Sequence, residues 1–375
     1  MSDIKDAISI RYNNLVYELK EKGKDPIVLS LGESYFDIPT PKLDEASNPE
    51  IFHYSHSKGL TKLRHVLTEF YKKSYGVISS PEENIIISAG SKVLVYLAMK
   101  AILKEGDEII IPEPAWVSYS EQAKLCGAKI KYIPIGTKIS DYQKYISEES
   151  KILIVCNPHN PTGYNLSEDE IHSLYDFALE NNLILFSDEA YSEFIPKNEK
   201  FFSMGKIDKD FKNSVVFNSM SKNIGVSGWR IGFAFSNKKI INEIYKLNQH
   251  IITCAPSLLE HYSSDNFDQL LSIARPQIND VVLKRSKVVD ILENFGLKYE
   301  EGTSTFYFFV SIEDSGMTSV DFCDKLLSEY FVAAVPGIGY GPSCDEYIRI
   351  SFGTESLERI SQGIELIARL VRSKT

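Results

Sequence analysis

Between Asn84 and Phe235 one pattern recurs: a short apolar run, a turn built from Gly, Ser, Asn or Pro, then a stretch with helical spacing. The runs are Asn84–Ser88, Asp107–Pro112, 128–134, 151–156, Leu183–Phe186, Ser214–Asn218 and Ile231–Phe235. Most carry Ile, Val, Leu and Phe at successive positions, which suits a strand buried on both faces and is too short for a helix. Strands alternating with helices at this rhythm predict a mostly parallel sheet with helices on both faces, an α/β fold. Ligands of such sheets gather at the carboxyl ends of the strands. The Gly90 turn, Asn160, Asp188 and Lys222 each come directly after a run, so all four are expected at one edge.

At 375 residues the chain exceeds what one hydrophobic core usually holds. The strand–helix rhythm ends near residue 275, and a large domain is expected over 41–275. Residues 1–40 and 276–375 read as a smaller α+β domain. Its expected elements include helices at 4–24, 278–294, 319–329 and 355–372 and strands at 27–31, 304–310, 331–335 and 347–351. Gly337-Ile338-Gly339 is no dinucleotide fingerprint, because the third Gly is misplaced and no helix follows at once.

Composition removes several function classes. Net charge is −10 and no basic face stands out, which argues against nucleic acid as a partner. No stretch approaches the roughly 20 apolar residues of a membrane span, and the first residues lack the apolar core of a signal peptide. The five cysteines are scattered, and none has the spacing of a zinc site or a disulfide framework. A reduced, cytoplasmic protein is expected, with neither nucleic acid nor membrane as partner and with no metal. Of 41 basic residues only nine are arginine, so an arginine inside a motif carries weight.

The segment Ser219–Gly232 sets one lysine, Lys222, in a Ser- and Gly-rich loop between two buried runs, with Arg230 further along. A lysine on the buried side is costly unless its charge is removed or used. One use is as a Schiff-base amine, with hydroxyls and an arginine holding an anion nearby. Gly90-Ser91-Lys92 sits where a strand turns into a helix, the geometry that offers free N–H groups to an anion. Other positions read two ways by themselves. Gly32 is a surface turn or a close backbone approach. Trp116 is core filler or a ring platform, Asp188 a helix cap or a functional carboxylate, Tyr191 core or site, Arg349 a surface cation or a carboxylate fork.

Taken in order, these residues carry a resemblance. Gly32, Tyr54…Gly59, Gly90-Ser91-Lys92, Pro112–Tyr119 around Trp116, Asn157-Pro-His-Asn160-Pro-Thr-Gly163, Asp188–Tyr191, Ser219-x-Ser221-Lys222…Gly228-Trp-Arg230-Ile-Gly232 and Tyr347–Ser351 around Arg349 resemble the class I/II aminotransferases of fold type I. That family uses pyridoxal 5′-phosphate (PLP), and the resemblance runs from about Ile27 to Arg372. It implies a PLP-dependent aminotransferase exchanging an amino group between an L-amino acid and a 2-oxo acid. Lys222 would form the internal aldimine and move the Cα proton; Asp188 would pair with the pyridine nitrogen; Asn160 and Tyr191 would bond the ring oxygen. Trp116 would stack on the ring. Ser219, Ser221, Arg230 and the N–H groups of Ser91 and Lys92, after Gly90, would hold the phosphate. Tyr54 would reach that phosphate from the second subunit of a homodimer. Arg349, Gly32 and Asn160 would bind the substrate, with Trp116 beside it.

Departures bear on specificity. Gly32-Glu33-Ser34-Tyr35-Phe36-Asp37-Ile38-Pro39 differs at Ser34, Tyr35 and Ile38 from the family's usual Gly-Glu-Pro-Asp-Phe-Asp-Thr-Pro. None of the nine arginines is identifiable as a second carboxylate binder, so no aspartate or glutamate preference is expected, and Glu33 would favour a cationic side chain. The alternative activity is that of a PLP lyase, cyclase or synthase on the same fold, which shares every motif.

Overall fold

The computed structural model describes residues 4–40 and 49–373; the expected domain boundary at residue 41 and the extreme ends of the chain lie outside them. In chain order the elements are α1 (Ile8–Glu21), β1 (Ile27–Val28), α2 (Thr61–Tyr75), β2 (Ile85–Ser88), α3 (Ser91–Ile102), β3 (Glu108–Pro112), α4 (Ser118–Leu125), β4 (Lys129–Ile133) and β5 (Ser150–Cys156). There follow α5 (Glu168–Glu180), β6 (Ile184–Asp188), α6 (Met204–Ile207), β7 (Ser214–Ser219), α7 (Met220–Asn223), β8 (Gly232–Phe235), α8 (Lys238–Ile251) and α9 (Ser257–Asn294). The last part holds β9 (Tyr307–Ser311), α10 (Ser319–Tyr330), β10 (Val332–Ala333), β11 (Val335–Pro336), β12 (Tyr347–Ser351) and α11 (Leu357–Arg372).

The seven apolar runs form one sheet in the order β2-β8-β7-β6-β5-β3-β4. Every neighbouring pair is parallel except those of β8, which runs against both β2 and β7. The α/β architecture expected from the sequence is the one observed. Separate apolar clusters pack on the two faces, one around Ile87, Leu153 and Leu185, the other around Ile86, Ile152 and Phe186. Successive residues of one strand therefore serve opposite cores, which is why the runs read as continuous rather than alternating. Full burial of each such Ile or Leu stabilises by roughly 1.5–3 kcal/mol.

Register determines what meets at the carboxyl edge. Cys156 lies opposite Asp188, and Asp188 opposite Phe217, so the loops after β5, β6 and β7 leave the sheet at one level. The first residue of β8, Gly232, pairs with both Ser88 and Ser219. That single antiparallel strand gathers the Gly90 turn, the Ser219 turn and Arg230 into one corner.

The remaining elements form a three-stranded antiparallel sheet, β11-β12-β9, and a two-stranded parallel pair, β1-β10. The expected strand at 27–31 shortens to Ile27–Val28, although Leu29 still donates to Ala333 and accepts from Ser351. The largest departure is α9. A helix was expected only over 278–294; Pro276, which has no backbone N–H to donate, lies just before it. The helix starts at Ser257 and runs through Pro276 for 38 residues, about 57 Å at the usual rise. Phe267, Leu270, Leu271, Ala274 and Ile278 keep one face buried across the proline. Tertiary packing outweighs the missing bond, and residues 275 and 276 sit inside one continuous element.

Candidate active site

A cavity of about 350 Å³ opens at the carboxyl edge of the large sheet, bounded also by α1 and the Gly32 segment. It is lined by Gly32, Ser91, Lys92, Trp116, Asn160, Asp188, Tyr191, Ser219, Ser221, Lys222, Arg230 and Arg349. At one end lies a cradle for an anion. Helix α3 begins after Gly90 with no side-chain cap, so its first N–H groups point into the cavity. Ser219 Oγ donates to Ser221 Oγ at 2.8 Å, and Arg230 Nη1 lies 3.5 Å from Ser221 Oγ. Two glycines make room. Gly90 sits at φ +94, and a Cβ there would overlap the Arg230 guanidinium; one on Gly232 would overlap the Ser91 amide nitrogen. Arg230 itself adopts a left-handed φ of 55. A non-glycine residue pays for that conformation, about 1–2 kcal/mol; the strained turn aims the guanidinium at the cradle.

In the middle stand a carboxylate and an amine. Asp188, at the end of β6, accepts from Tyr119 Oη at 2.6 Å and from the Ala190 N–H at 3.2 Å. Burial raises its pKa, and those two donors oppose the rise. Lys222 Nζ donates to the Gly32 carbonyl at 2.5 Å. Loss of solvent, with Arg349, Arg230 and Lys92 nearby, pushes its pKa down to about 8 against the pull of Glu33. Asn160 Nδ2 lies 3.4 Å from Tyr191 Oη, which in turn is 2.9 Å from Tyr307 Oη.

At the far end Arg349, 4% exposed on β12, donates from Nη2 to the Ser30 carbonyl at 2.6 Å, with its guanidinium 4.5 Å from the Tyr307 ring. Its Nε and the Asn160 Oδ1 have no protein partner. Two buried polar atoms left open in one cavity mark a place for a ligand that supplies both.

The pattern of the family described as aminotransferase class I and II matches residues 24–366. The aspartate aminotransferase of Pyrococcus horikoshii is 33% identical over 372 residues, 93% of each chain. That of Pyrococcus abyssi is 30% identical over 385 residues, covering 100% of this chain and 99% of its own. The solved aspartate aminotransferase of Thermus thermophilus with maleate superposes with a TM-score of 0.89 at 25% identity, over 98% of this chain and 97% of that one. The chain belongs to the class I and II aminotransferases. Members of this family use PLP, and this is a PLP-dependent aminotransferase.

The donor set of the aminotransferase fits that cofactor: an uncapped helix start, hydroxyls and an arginine suit a phosphate dianion; a buried carboxylate suits a protonated pyridine nitrogen; and a lysine of lowered pKa faces both. Of the residues singled out from sequence, Gly90 lies just behind the cradle and Tyr54 stands apart, 86% exposed, near the start of α9. The others converge. Sequence reasoning missed Tyr119, Tyr307, Ser9, Asn13 and Ser227. Tyr119 was within reach, since it closes the Pro112–Tyr119 segment around Trp116, and the two rings meet edge to face at 5.2 Å. Ser9 and Asn13, on α1, carry no local signal. Glu33, expected to face a cationic substrate, accepts a hydrogen bond from Ser227 Oγ. Among the described residues no helix is long and apolar enough to cross a membrane, and no group of His, Cys, Asp or Glu could hold a metal ion.

Proposed function

We propose that Lys222 is the amine that carries PLP and moves the proton at the substrate Cα, in transamination between an L-amino acid and a 2-oxo acid. The observation that carries this reading is the shared cavity of Lys222, Asp188, Arg230 and Arg349, with the amine pushed down to about 8. PLP, when bound, supplies an aldehyde carbon for the amine and a ring that draws electrons from Cα. An amine titrating near 8 can take a proton as readily as give one, which suits it to carry the Cα proton. Asp188 would hold the proton of the pyridine nitrogen, with Tyr119 and the Ala190 N–H opposing the rise that burial gives its pKa. Asn160 and Tyr191 would hydrogen-bond the ring oxygen, and Trp116 would cover the ring face. Ser219, Ser221, Arg230 and the N–H groups of Ser91 and Lys92 bind the phosphate. Arg349 grips the substrate α-carboxylate, helped by Asn160 and the Gly32 N–H.

We read the substrate class from Lys92. Its Nζ lies 5.0 Å from the Trp116 ring centroid, and the charged group acting on it is Arg230, not a carboxylate. A lysine, rather than the second arginine missing from the sequence, then receives the distal carboxylate of a dicarboxylic substrate such as aspartate. The names of the Pyrococcus relatives support this reading. Lys92→Met should raise KM for aspartate about 10-fold or more while leaving KM for alanine within about 2-fold; equal effects on both would overturn it.

Residues 1–40 and 276–375 act in this reading as a small domain that closes over the cavity. Support comes from the Gly32 carbonyl on Lys222, Glu33 on Ser227, and Arg349. The enzyme works as a cytoplasmic homodimer in which Tyr54 reaches the partner's phosphate. Exposed Phe52, Tyr54 and Ile251 and five unpaired cysteines support this. Borohydride reduction with peptide mapping tests the centre of the proposal: cofactor fixed on any lysine but Lys222 would sink it.

A further inference from the structure

Behind the cavity lies a knot of buried amides and hydroxyls that do not line it. Asn218, at the end of β7, accepts from the Ser219 N–H at 2.6 Å and from Asn223 Nδ2 at 2.9 Å through the same Oδ1. The two asparagines thus clasp the short helix α7 from both ends, with Lys222 between them. Asn218 Nδ2 and Asn223 Nδ2 each donate to Ser192 Oγ at 3.0 Å. Asn223 Oδ1 accepts from the Glu193 N–H at 3.1 Å. Ser192 and Glu193 belong to the turn that follows Asp188, and Tyr75 Oη closes the knot by donating to Glu193 Oε1 at 2.6 Å and accepting from the Ser192 hydroxyl at 3.0 Å. Asn218, Asn223 and Ser192 are 1%, 6% and 3% exposed.

We infer that Asn218, Asn223 and Ser192 are positioning residues that fix the Lys222 amine relative to the Asp188 carboxylate. The inference rests on the assignment of Lys222 and Asp188 above. Its physical basis is that Asp188 ends β6 while Lys222 lies on α7, after β7, and the backbone pairing of β6 with β7 ends at Asp188–Phe217, where the Glu189 N–H donates to the Phe217 carbonyl. Beyond that pair the two chains diverge into separate turns. The side-chain knot is what spans the gap, and it does so with every amide hydrogen-bonding group of Asn223 directed at a neighbour of Asp188 or at Asn218. Displacing a reacting amine by as little as about 1 Å can cost on the order of 100-fold in rate.

The test uses the PLP-loaded enzyme and three variants. Asn223→Ala and the milder Ser192→Ala remove the knot from opposite sides; Asn248→Ala removes an equally buried amide, bonded to Ser88 and Ser57, that has no link to either group. Three readings are taken: the pH midpoint of the cofactor's absorbance, its visible circular dichroism, and the kcat and KM pair. The charged groups facing the Lys222 amine are Glu33, Arg349, Arg230 and Lys92, and no substitution touches them. Asn223→Ala should move the midpoint by about half a pH unit or more, weaken the dichroism, and lower kcat about 10-fold with KM within about 2-fold. Ser192→Ala should shift the same readings in the same direction by less, and Asn248→Ala should lower only the melting temperature. If both knot variants keep the wild-type midpoint and kcat, or match Asn248→Ala in losing stability alone, the knot is merely structural and the inference fails. Borohydride trapping on the wild type reports separately on Lys222, so a failure of that assignment is visible as such.

Discussion

The two walls of the cavity differ in how their polar groups are satisfied. On the sheet-edge wall, Asp188, Ser219 and Ser221, with Asn218 and Asn223 behind them, all have protein partners at hydrogen-bond distance. On the facing wall, Arg349 Nε is buried with none, as is Asn160 Oδ1 in the loop after β5. Leaving such an atom open costs about 1–3 kcal/mol. The first wall is organised before anything binds, as suits a cofactor that stays. The second carries open valences, as suits a substrate that arrives and leaves. If so, changes on the first wall should alter cofactor chemistry and kcat, and changes on the second should alter substrate affinity.

The largest expected effect is at the centre of the first wall. Lys222→Ala should lower turnover by about 10⁴-fold or more and abolish cofactor fixation by borohydride. Added methylamine should restore part of the rate, since it returns an amine without the tether. A variant that keeps more than about a tenth of wild-type turnover would remove the lysine from the chemistry. On the second wall, Arg349→Lys keeps the charge but loses the planar fork, and kcat/KM should fall about 100-fold, mainly through KM. A fall confined to kcat would erase the distinction between the walls.

The legibility of the two walls from sequence differs for the same reason. The sheet-edge wall is built by strands whose apolar runs are contiguous in the chain, so each functional residue follows a recognisable signal: Asp188 after Leu183–Phe186, Lys222 after Ser214–Asn218. The facing wall is assembled from distant pieces. Ser9 and Asn13 belong to α1, Gly32 to an irregular segment, Tyr307 and Arg349 to a small antiparallel sheet. Only Arg349 and Gly32 were marked, and those by family resemblance. The part of helix α9 before residue 278 was not read from sequence; the bond missing at Pro276 is outweighed by the face buried on both sides of the proline.

A smaller effect is expected at Tyr119. Its Oη at 2.6 Å from Asp188 stabilises the charged carboxylate against burial. Tyr119→Phe should therefore raise the Asp188 pKa further, weaken PLP retention, and lower kcat about 10-fold with little change in KM. A substrate-affinity effect instead would assign Tyr119 to the other wall.

The smallest effect concerns pH and the residue just beyond Asp188. Glu189 is fully buried, and loss of solvent raises its pKa from 4.5 to about 8, although Met204 N–H, Ser203, Ser187 and Tyr71 all donate toward it. A carboxyl whose folded pKa exceeds its unfolded value binds more protons in the folded state between the two. Its stability contribution is complete below about 4.5 and is lost as pH rises toward 8. Glu260, raised to about 7, adds to the same slope. Cofactor-free enzyme should therefore lose melting temperature between pH 5 and pH 8, roughly as this linkage dictates. Glu189→Gln is isosteric with the protonated acid: its amide oxygen can accept from Met204 and Ser203 and its nitrogen can donate to Tyr71. The variant should match the wild type near pH 5 and show a shallower fall toward pH 8. An unchanged slope would mean that the hydrogen bonds around Glu189 hold it ionised throughout, and that the sheet-edge wall carries a buried negative charge next to Asp188.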